Sequence, residues 1–138
     1  MSPGEDVVLT KLGDVPLTIC YDLRFPELYR RLAAGGARII TAPSAFTFET
    51  GKDHWDLLVR TRAVENQVFM LAAAQVGSYR PGLACYGNAM IVDPWGTVLA
   101  HALEQECVVV ADLDFDHQDR VRASLPALGH RRTEILGF

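Results

Sequence analysis

The sequence of 138 residues has only three cysteines, only two lysines and no long apolar run. Cys20, Cys85 and Cys107 cannot all pair within one chain and none belongs to a C-x-x-C unit, which favours reduced thiols and a cytoplasmic location over a disulfide framework. No apolar stretch approaches the ~20 residues that span a bilayer, so no membrane partner is predicted. The first residues also lack the basic and apolar regions of an export signal.

Metal centres and nucleic-acid surfaces are two further features for which the sequence has little material. The histidines lie far apart, whereas zinc ligands usually come at short spacings. We therefore predict no metal ion and no other cofactor. The formal net charge of −4, with arginines scattered rather than aligned on one face, argues against binding of a phosphate backbone. Nucleic acid is not an expected partner.

The sequence does contain the material of one folded α/β domain. Apolar residues make up 49% and charged residues 22%, which is a globular balance. Residue type and periodicity predict strands at 7–10, 16–19, 38–42, 68–74, 89–92, 97–100 and 107–111, with loops at 44–52 and 78–85. The order strand, helix, strand around residues 16–42 predicts parallel strands whose carboxyl ends meet at one sheet edge, where ligands bind in open α/β sheets.

Three helices and one tight turn have clear local signals. Pro26 starts the first helix and a glycine pair at 35–36 ends it, with Leu28 and Leu32 facing the sheet and residues 29–31 turned to other sides. Asp53 is the predicted N-cap of the second, whose apolar pattern runs from Trp55 to Ala63. Asp114 is predicted to start a polar helix that ends near residue 124. Residues 93–96 (DPWG) predict a type I turn between two strands.

Cys20 is the strongest candidate for chemistry. It follows the apolar run 17–19 and precedes the helix that starts at Pro26, so we expect it at the carboxyl end of a strand. There the amino end of the following helix favours the thiolate, the reactive form, and the N–H of Tyr21 is a candidate donor to an oxyanion. The alternative is that Cys20 is one more small buried apolar residue, as free cysteines often are.

The segment 20–27 (CYDLRFPE) resembles the nucleophile segment of the carbon–nitrogen hydrolase (nitrilase-related) family. The resemblance continues in the same order over nearly the whole chain, at residues 43–46 (PSAF), 50–51 and 54–55, 60–66 (RTRAVEN), 72–75 (AAAQ), 86–87, 92–96 and 130–132 (HRR). Residues 72–75 and 125–132 most resemble the branch that includes deaminated glutathione amidases and ω-amidases.

The resemblance implies an α-β-β-α sandwich, of which residues 1–138 would be a partial, carboxyl-terminal portion that lacks the amino-terminal segments. Helices would cover one face of the sheet. The other face, rich in valine, isoleucine and alanine, would need a second sheet. We therefore expect a lone chain to expose a large apolar patch and to form a homodimer or pair with a complementary chain.

The resemblance also implies a cysteine nucleophile, Cys20, with a glutamate base and an oxyanion-binding lysine in segments before it. Neither lysine, Lys11 nor Lys52, matches the family's lysine segment, and Glu27, Glu49 and His54 do not match its base. Phe46 and Tyr86 are candidates to line the substrate pocket, with core or rim packing as the alternative for each. Asp22 and Arg24 are expected to form an ion pair that holds the turn, with substrate contact as the alternative.

Two functions of different classes follow. The first is an amidase that hydrolyses a small carboxylate-bearing linear amide through a thioester on Cys20, impaired in this chain because the base and the lysine are missing. The second is a non-catalytic remnant or assembly module that folds against a partner chain.

Overall fold

The computed structural model describes residues 11–12 and 15–136, without the side chains of residues 11, 12, 79 and 136. The predicted strand at 7–10 lies outside the described residues. The elements in chain order are β1 (Lys11–Leu12), β2 (Val15–Pro16), a 3-10 turn (Cys20–Arg24), α1 (Pro26–Ala34), β3 (Ile39–Thr41), α2 (Phe48–Asn66), β4 (Phe69–Ala72), β5 (Val76–Arg80), β6 (Leu83–Tyr86), β7 (Met90–Val92), β8 (Val98–His101), α3 (Phe115–Ser124) and α4 (Thr133–Leu136).

Within the described residues, the central sheet has four strands in the order β3-β4-β7-β8. β3 and β4 are parallel, as the strand-helix-strand order predicted, and the other pairs are antiparallel. Ile40 lies beside Met70, and Met70 beside Val92, so one face carries a row of buried apolar side chains. α1 and α2 contribute to the same core, through side chains such as Leu32 and Trp55.

α1 begins at Pro26 and ends before the glycine pair, as predicted. Leu32 is buried and Leu28 is partly buried against the core. The prediction for Tyr29 was wrong, because its ring is fully buried instead of pointing to another side. Its hydroxyl oxygen lies 2.5 Å from that of Thr18, which satisfies the polar end of the ring inside the core.

α2 begins earlier than predicted. Thr47, not Asp53, is the N-cap, and its side-chain oxygen accepts a hydrogen bond from the N–H of Thr50. The predicted loop at 44–52 is therefore wrong over its second half. Gly51 lies inside the helix, and a glycine is required there because the Tyr86 side chain packs where a Cβ would stand, 2.3 Å from the Tyr86 Cβ.

Two other segments differ from the prediction. Residues 78–85 form most of the β5–β6 hairpin, which turns at residues 81–82, and not a loop. Residues 107–111 have no strand partner in the part of the chain that the structure describes, and the Val108 and Val110 side chains are 89% and 83% exposed. The predicted strand is absent because its backbone has no neighbouring strand there to pair with.

The hairpin of β7 and β8 is confirmed. The Gly96 N–H donates to the Asp93 carbonyl at 3.0 Å, and the buried Asp93 carboxylate accepts from the N–H groups of Trp95 and Thr97. These bonds explain why the sequence signal for this turn was reliable: every partner lies within four residues.

α3 begins after the predicted N-cap Asp114, whose carboxylate accepts from the His117 N–H at 2.8 Å. At its start the Phe115 ring packs edge-on against the Phe69 ring, so α3 covers one end of the second sheet face. Further along that face Ile39, Leu71 and Ile91 are only half-buried, and α1 and α2 lie on the other side. The prediction that helices cover a single face is therefore confirmed for α1 and α2 but wrong for α3, which packs on one end of the second face.

Candidate active site

Cys20 stands where an extended segment turns into a helix. The Thr18 N–H donates to the Thr41 carbonyl at 3.0 Å and the Cys20 N–H to the Pro43 carbonyl at 2.9 Å, so the segment runs beside the end of β3. The predicted strand at 16–19 is only partly formed. Strand β2 ends at Pro16, and among the described residues that follow it Leu17 makes a single parallel bridge with Thr41. Cys20 nevertheless lies at the predicted sheet edge.

The backbone of Cys20 is in the left-handed region, with φ of 45°. This conformation is costly for a residue with a side chain, and such residues cluster at functional sites where the surrounding structure holds them. The next residues form the 3-10 turn, and Phe25 leads directly to Pro26 and α1. The result is a sharp elbow that leaves the Cys20 side chain half-buried.

A cleft of about 380 Å³ opens beside Cys20. It is lined by residues from three segments that reach the same edge of the sheet: Ile19, Cys20, Pro43, Ser44, Ala45, Ala73, Ala74 and Gln75. Most of these side chains are small, and the lining contains no acidic or basic residue among those that the structure describes. The sequence predicted that residues 43–46 would reach this edge. It did not name Gln75 as a site residue, although Gln75 ends the 72–75 segment that carries the family resemblance and lies three residues after β4.

The N–H of Tyr21 differs from those of its two neighbours in the turn. Cys20 and Asp22 donate their N–H groups to the carbonyls of Pro43 and Ile19, whereas the N–H of Tyr21 has no acceptor within the described chain. The Tyr21 ring points outward, 65% exposed, and packs edge-on against Phe25. The predicted role of Tyr21 rests on this backbone donor and not on the ring.

The predicted ion pair between Asp22 and Arg24, both of which the structure describes, does not form. The Asp22 carboxylate accepts from the Ile19 N–H at 2.8 Å, which caps the turn. The Arg24 guanidinium lies over the rings of Tyr21 and Phe46, at 5.7 and 5.3 Å from their centroids, with one nitrogen 3.4 Å from His54 Nδ1. Asp22 faces the backbone that precedes it and Arg24 faces α2, so the two charges point apart.

Phe46 and Tyr86 lie near each other but outside the lining of the Cys20 cleft. Phe46 is 7% exposed and packs edge-on against Trp55, with ring centroids 5.1 Å apart. Tyr86 is half-buried and packs edge-on against Phe48 at 5.8 Å. Their role in substrate binding stays a prediction.

The alternative acid–base candidates are spread over the surface of the helices. Glu27 is exposed on α1, and Glu49 and His54 are exposed on α2. Lys52 is exposed and pairs with Asp53 at 2.5 Å. None of them lines the cleft, and the side chain of Lys11 lies outside the described part.

Residues 11–12 and 15–136 contain no group of three or more His, Cys, Asp or Glu side chains arranged to hold a metal ion. None of the helices in these ranges is both long enough and apolar enough to cross a membrane.

Comparison with known proteins identifies the family. The family model described as carbon-nitrogen hydrolase matches residues 1–123. The chain belongs to the carbon-nitrogen hydrolase family.

Among curated relatives, the deaminated glutathione amidase of Mus musculus is 47% identical to this carbon-nitrogen hydrolase chain over 133 residues. The match covers 96% of this chain and 41% of the mouse protein, so the chain spans less than half the length of that relative. The branch resemblance seen in the sequence is confirmed by this match.

Two solved structures show the fold. Saccharomyces cerevisiae Nit3, a member of branch 10 of the nitrilase superfamily, is 40% identical with a TM-score of 0.86, over 96% of this chain and 49% of that one. A variant of the amidase from Nesterenkonia sp. AN1, with the acetamide moiety of fluoroacetamide added covalently at its active-site cysteine, is 32% identical with a TM-score of 0.71, over 88% and 42%. These matches confirm the predicted nitrilase-like α/β fold.

Proposed function

We propose that this carbon-nitrogen hydrolase chain carries the nucleophile of an amidase that acts on a small carboxylate-bearing linear amide, and that Cys20 is that nucleophile. The observation that carries the proposal is the Cys20 elbow: a thiol on a left-handed backbone at a cleft of about 380 Å³, followed by Tyr21, whose N–H has no acceptor among the described residues. The similarity to deaminated glutathione amidase supports a carboxylate-bearing amide as the substrate class. We also propose that the enzyme is cytoplasmic.

The chemistry requires three balanced steps. The Cys20 thiol gives its proton to a base, and its sulfur forms a bond to the amide carbon, which produces a tetrahedral oxyanion. The Tyr21 N–H donates a hydrogen bond to that oxyanion. The carbon–nitrogen bond breaks, and the amine leaves with the proton from the base. Water then attacks the thioester, which releases the carboxylic acid and restores the thiol.

The cleft lining includes the proposed nucleophile, and the proposed oxyanion donor follows it in sequence as the N–H of Tyr21, but the described lining offers no proton carrier. The cleft lining contains no Glu, Lys or His within the described chain. We propose that the base and the second oxyanion donor come from residues that do not belong to this lining, in the segments before the nucleophile that the family resemblance implies. On this basis the isolated chain should capture an electrophile at Cys20 but turn over amides slowly, since general acid–base catalysis alone contributes about 10²–10⁴-fold.

Fluoroacetamide labelling tests the proposal. The reagent is a weak electrophile, and the amidase from Nesterenkonia carries its acetamide moiety at the active-site cysteine. Mass spectrometry of the labelled chain should find acetamide on Cys20, and Cys20→Ala should remove it. Cys107 is exposed and is the matched control, so Cys107→Ala should leave the labelling unchanged. Equal labelling of Cys20 and Cys107, or none at Cys20, would overturn the proposal.

A second candidate function is an assembly module that pairs with another chain. The observation in its favour is apolar surface in two places: Val108 and Val110 are exposed, and the second sheet face at Ile39, Leu71 and Ile91 is only half-buried. We propose that these surfaces are covered by a second copy or by a complementary chain. A chain that associates through them and does not label at Cys20 would favour this function over the amidase.

A further inference from the structure

Arg62 is a buried arginine beneath the Cys20 elbow. It lies on α2 with only 5% of its surface exposed, and its Nε donates to the Leu23 carbonyl at 2.9 Å. Leu23 is fully buried in the same 3-10 turn as Cys20, three residues later. Leu23 belongs to the buried core, and Cys20 is partly buried against that same core.

The guanidinium itself is held on two other sides. Its Nη1 lies 2.7 Å from Glu65 Oε1, and its central carbon lies 5.6 Å from the centroid of the Tyr29 ring. A buried charge is unfavourable unless it is paired and hydrogen-bonded, and these contacts supply both conditions. These contacts hold the guanidinium in place, so its Nε–H stays directed at the Leu23 carbonyl.

The segment before Cys20 is held through the same group of side chains. The hydroxyl oxygens of Thr18 and Tyr29 are 2.5 Å apart, and Thr18 also donates from its hydroxyl to the Thr41 carbonyl at 2.9 Å. Tyr29 thus contacts Thr18, which precedes Cys20, and the guanidinium of Arg62. That guanidinium in turn binds the carbonyl of Leu23, which follows Cys20. A left-handed cysteine persists only where the surroundings hold its backbone on both sides.

We propose that Arg62 is a positioning residue for the nucleophile: through the Leu23 carbonyl it holds the 3-10 turn so that Cys20 and the Tyr21 N–H act on one carbonyl group. This inference rests on the proposed function of Cys20. Arg62 does not line the cleft, so it acts through the turn and not on the substrate.

The test compares Arg62→Met and Arg62→Lys with a matched arginine on the same helix. Arg60 also donates from Nε to a backbone carbonyl at 2.9 Å, that of Gly96 in the distant β7–β8 turn. For each variant, mass spectrometry gives the rate of fluoroacetamide labelling at Cys20 and, in a parallel sample, the rate of iodoacetamide labelling at exposed Cys107, both from neutral to alkaline pH. Thermal unfolding measures whether each variant is folded.

Both Arg62 variants should label Cys20 roughly tenfold or more slowly than the unmodified chain at every pH, because small displacements of a reacting group cost about that much or more in rate. The rate of Cys107 labelling in every variant, and the rate of Cys20 labelling in Arg60→Met, should stay within about twofold of the rates in the unmodified chain. Unchanged labelling at Cys20 in folded Arg62→Lys would overturn the inference, and so would an Arg62→Lys chain that does not fold, since Arg62 would then support the whole domain. A failure to label the unmodified chain would instead count against the proposed function.

Discussion

The hydroxyl oxygens of Thr18 and Tyr29 lie 2.5 Å apart in the buried core, and they join the segment that leads to Cys20 to the helix that follows it. Burial raises the pKa of the Tyr29 phenol to about 12, while the hydrogen bond with Thr18 and the charge of Arg62 act in the opposite direction. The phenol is therefore neutral in the folded protein at a pH where an exposed tyrosine ionises.

Stability should fall steeply in alkali because of this phenol. Unfolding releases Tyr29 to its ordinary pKa of about 10, so the unfolded chain binds fewer protons than the folded chain above that pH. The free energy of unfolding from urea titrations should be fully retained below about pH 10 and fall by up to about 2–3 kcal/mol as the pH approaches 12. Tyr29→Phe should remove this part of the pH dependence, whereas Tyr21→Phe, at an exposed ring, should keep it. Equal curves for all three proteins would contradict the assignment.

Gly51→Ala should destabilise the domain although alanine favours helices. The new Cβ would stand 2.3 Å from the Tyr86 Cβ and 2.5 Å from its Cγ, so α2 and β6 would have to move apart. Overpacking of this kind costs about 1–3 kcal/mol, which exceeds the gain in helix propensity of about 1 kcal/mol. The control is Gly129→Ala, where the nearest atom is the Pro126 carbonyl oxygen at 3.5 Å. Urea unfolding should show a loss for the first variant and little change for the second.

Gln118→Leu should loosen α3 from the sheet. The buried Gln118 side chain donates to the carbonyls of Arg38 and Gln67 and accepts from the Arg38 Nε at 2.6 Å. Leucine fills the space but makes none of these three hydrogen bonds. The Arg38 Nε loses this acceptor, while the Arg38 and Gln67 carbonyls keep the Phe69 N–H and the Arg122 Nε as donors, so we expect a cost of about 1–3 kcal/mol. Asp119→Asn removes an exposed ion pair with Arg38 and should cost no more than about 1 kcal/mol. Hydrogen exchange of residues 115–124 should rise only in the first variant, and equal exchange in both would contradict the prediction.

A double substitution of Val108→Lys and Val110→Lys should weaken association of the chain. Both side chains are exposed on a segment without a strand partner in the described chain, and extended apolar segments of this kind pair readily with other chains. Light scattering at rising protein concentration should show assemblies for the unmodified chain and a smaller mean mass for the variant. The control is Glu104→Lys with Glu106→Lys, which also introduces two lysines near this segment but keeps Val108 and Val110. An unmodified chain that stays monomeric would show that this surface needs no partner.

Features with short-range causes could be predicted from the sequence. The start of α1 at Pro26, the turn after Asp93 and the N-cap at Asp114 each depend on partners within a few residues. The place of Cys20 at the sheet edge followed from an apolar run on one side and a helix start on the other. These signals are local, so no other part of the chain was needed to interpret them.

Other features depended on residues far apart in the chain. The loop predicted at 44–52 is helical from residue 48, and only the contact with Tyr86 explains the glycine at position 51 of that helix. Residues 107–111 resembled a strand because their composition does not show whether a neighbouring strand exists. The sequence alone determined which residue is the candidate nucleophile and which family the chain belongs to, because both can be recognised from short consecutive segments. Only the tertiary structure decided how Cys20 is held, because Arg62 and Leu23 are 39 residues apart and meet through packing that no local pattern encodes.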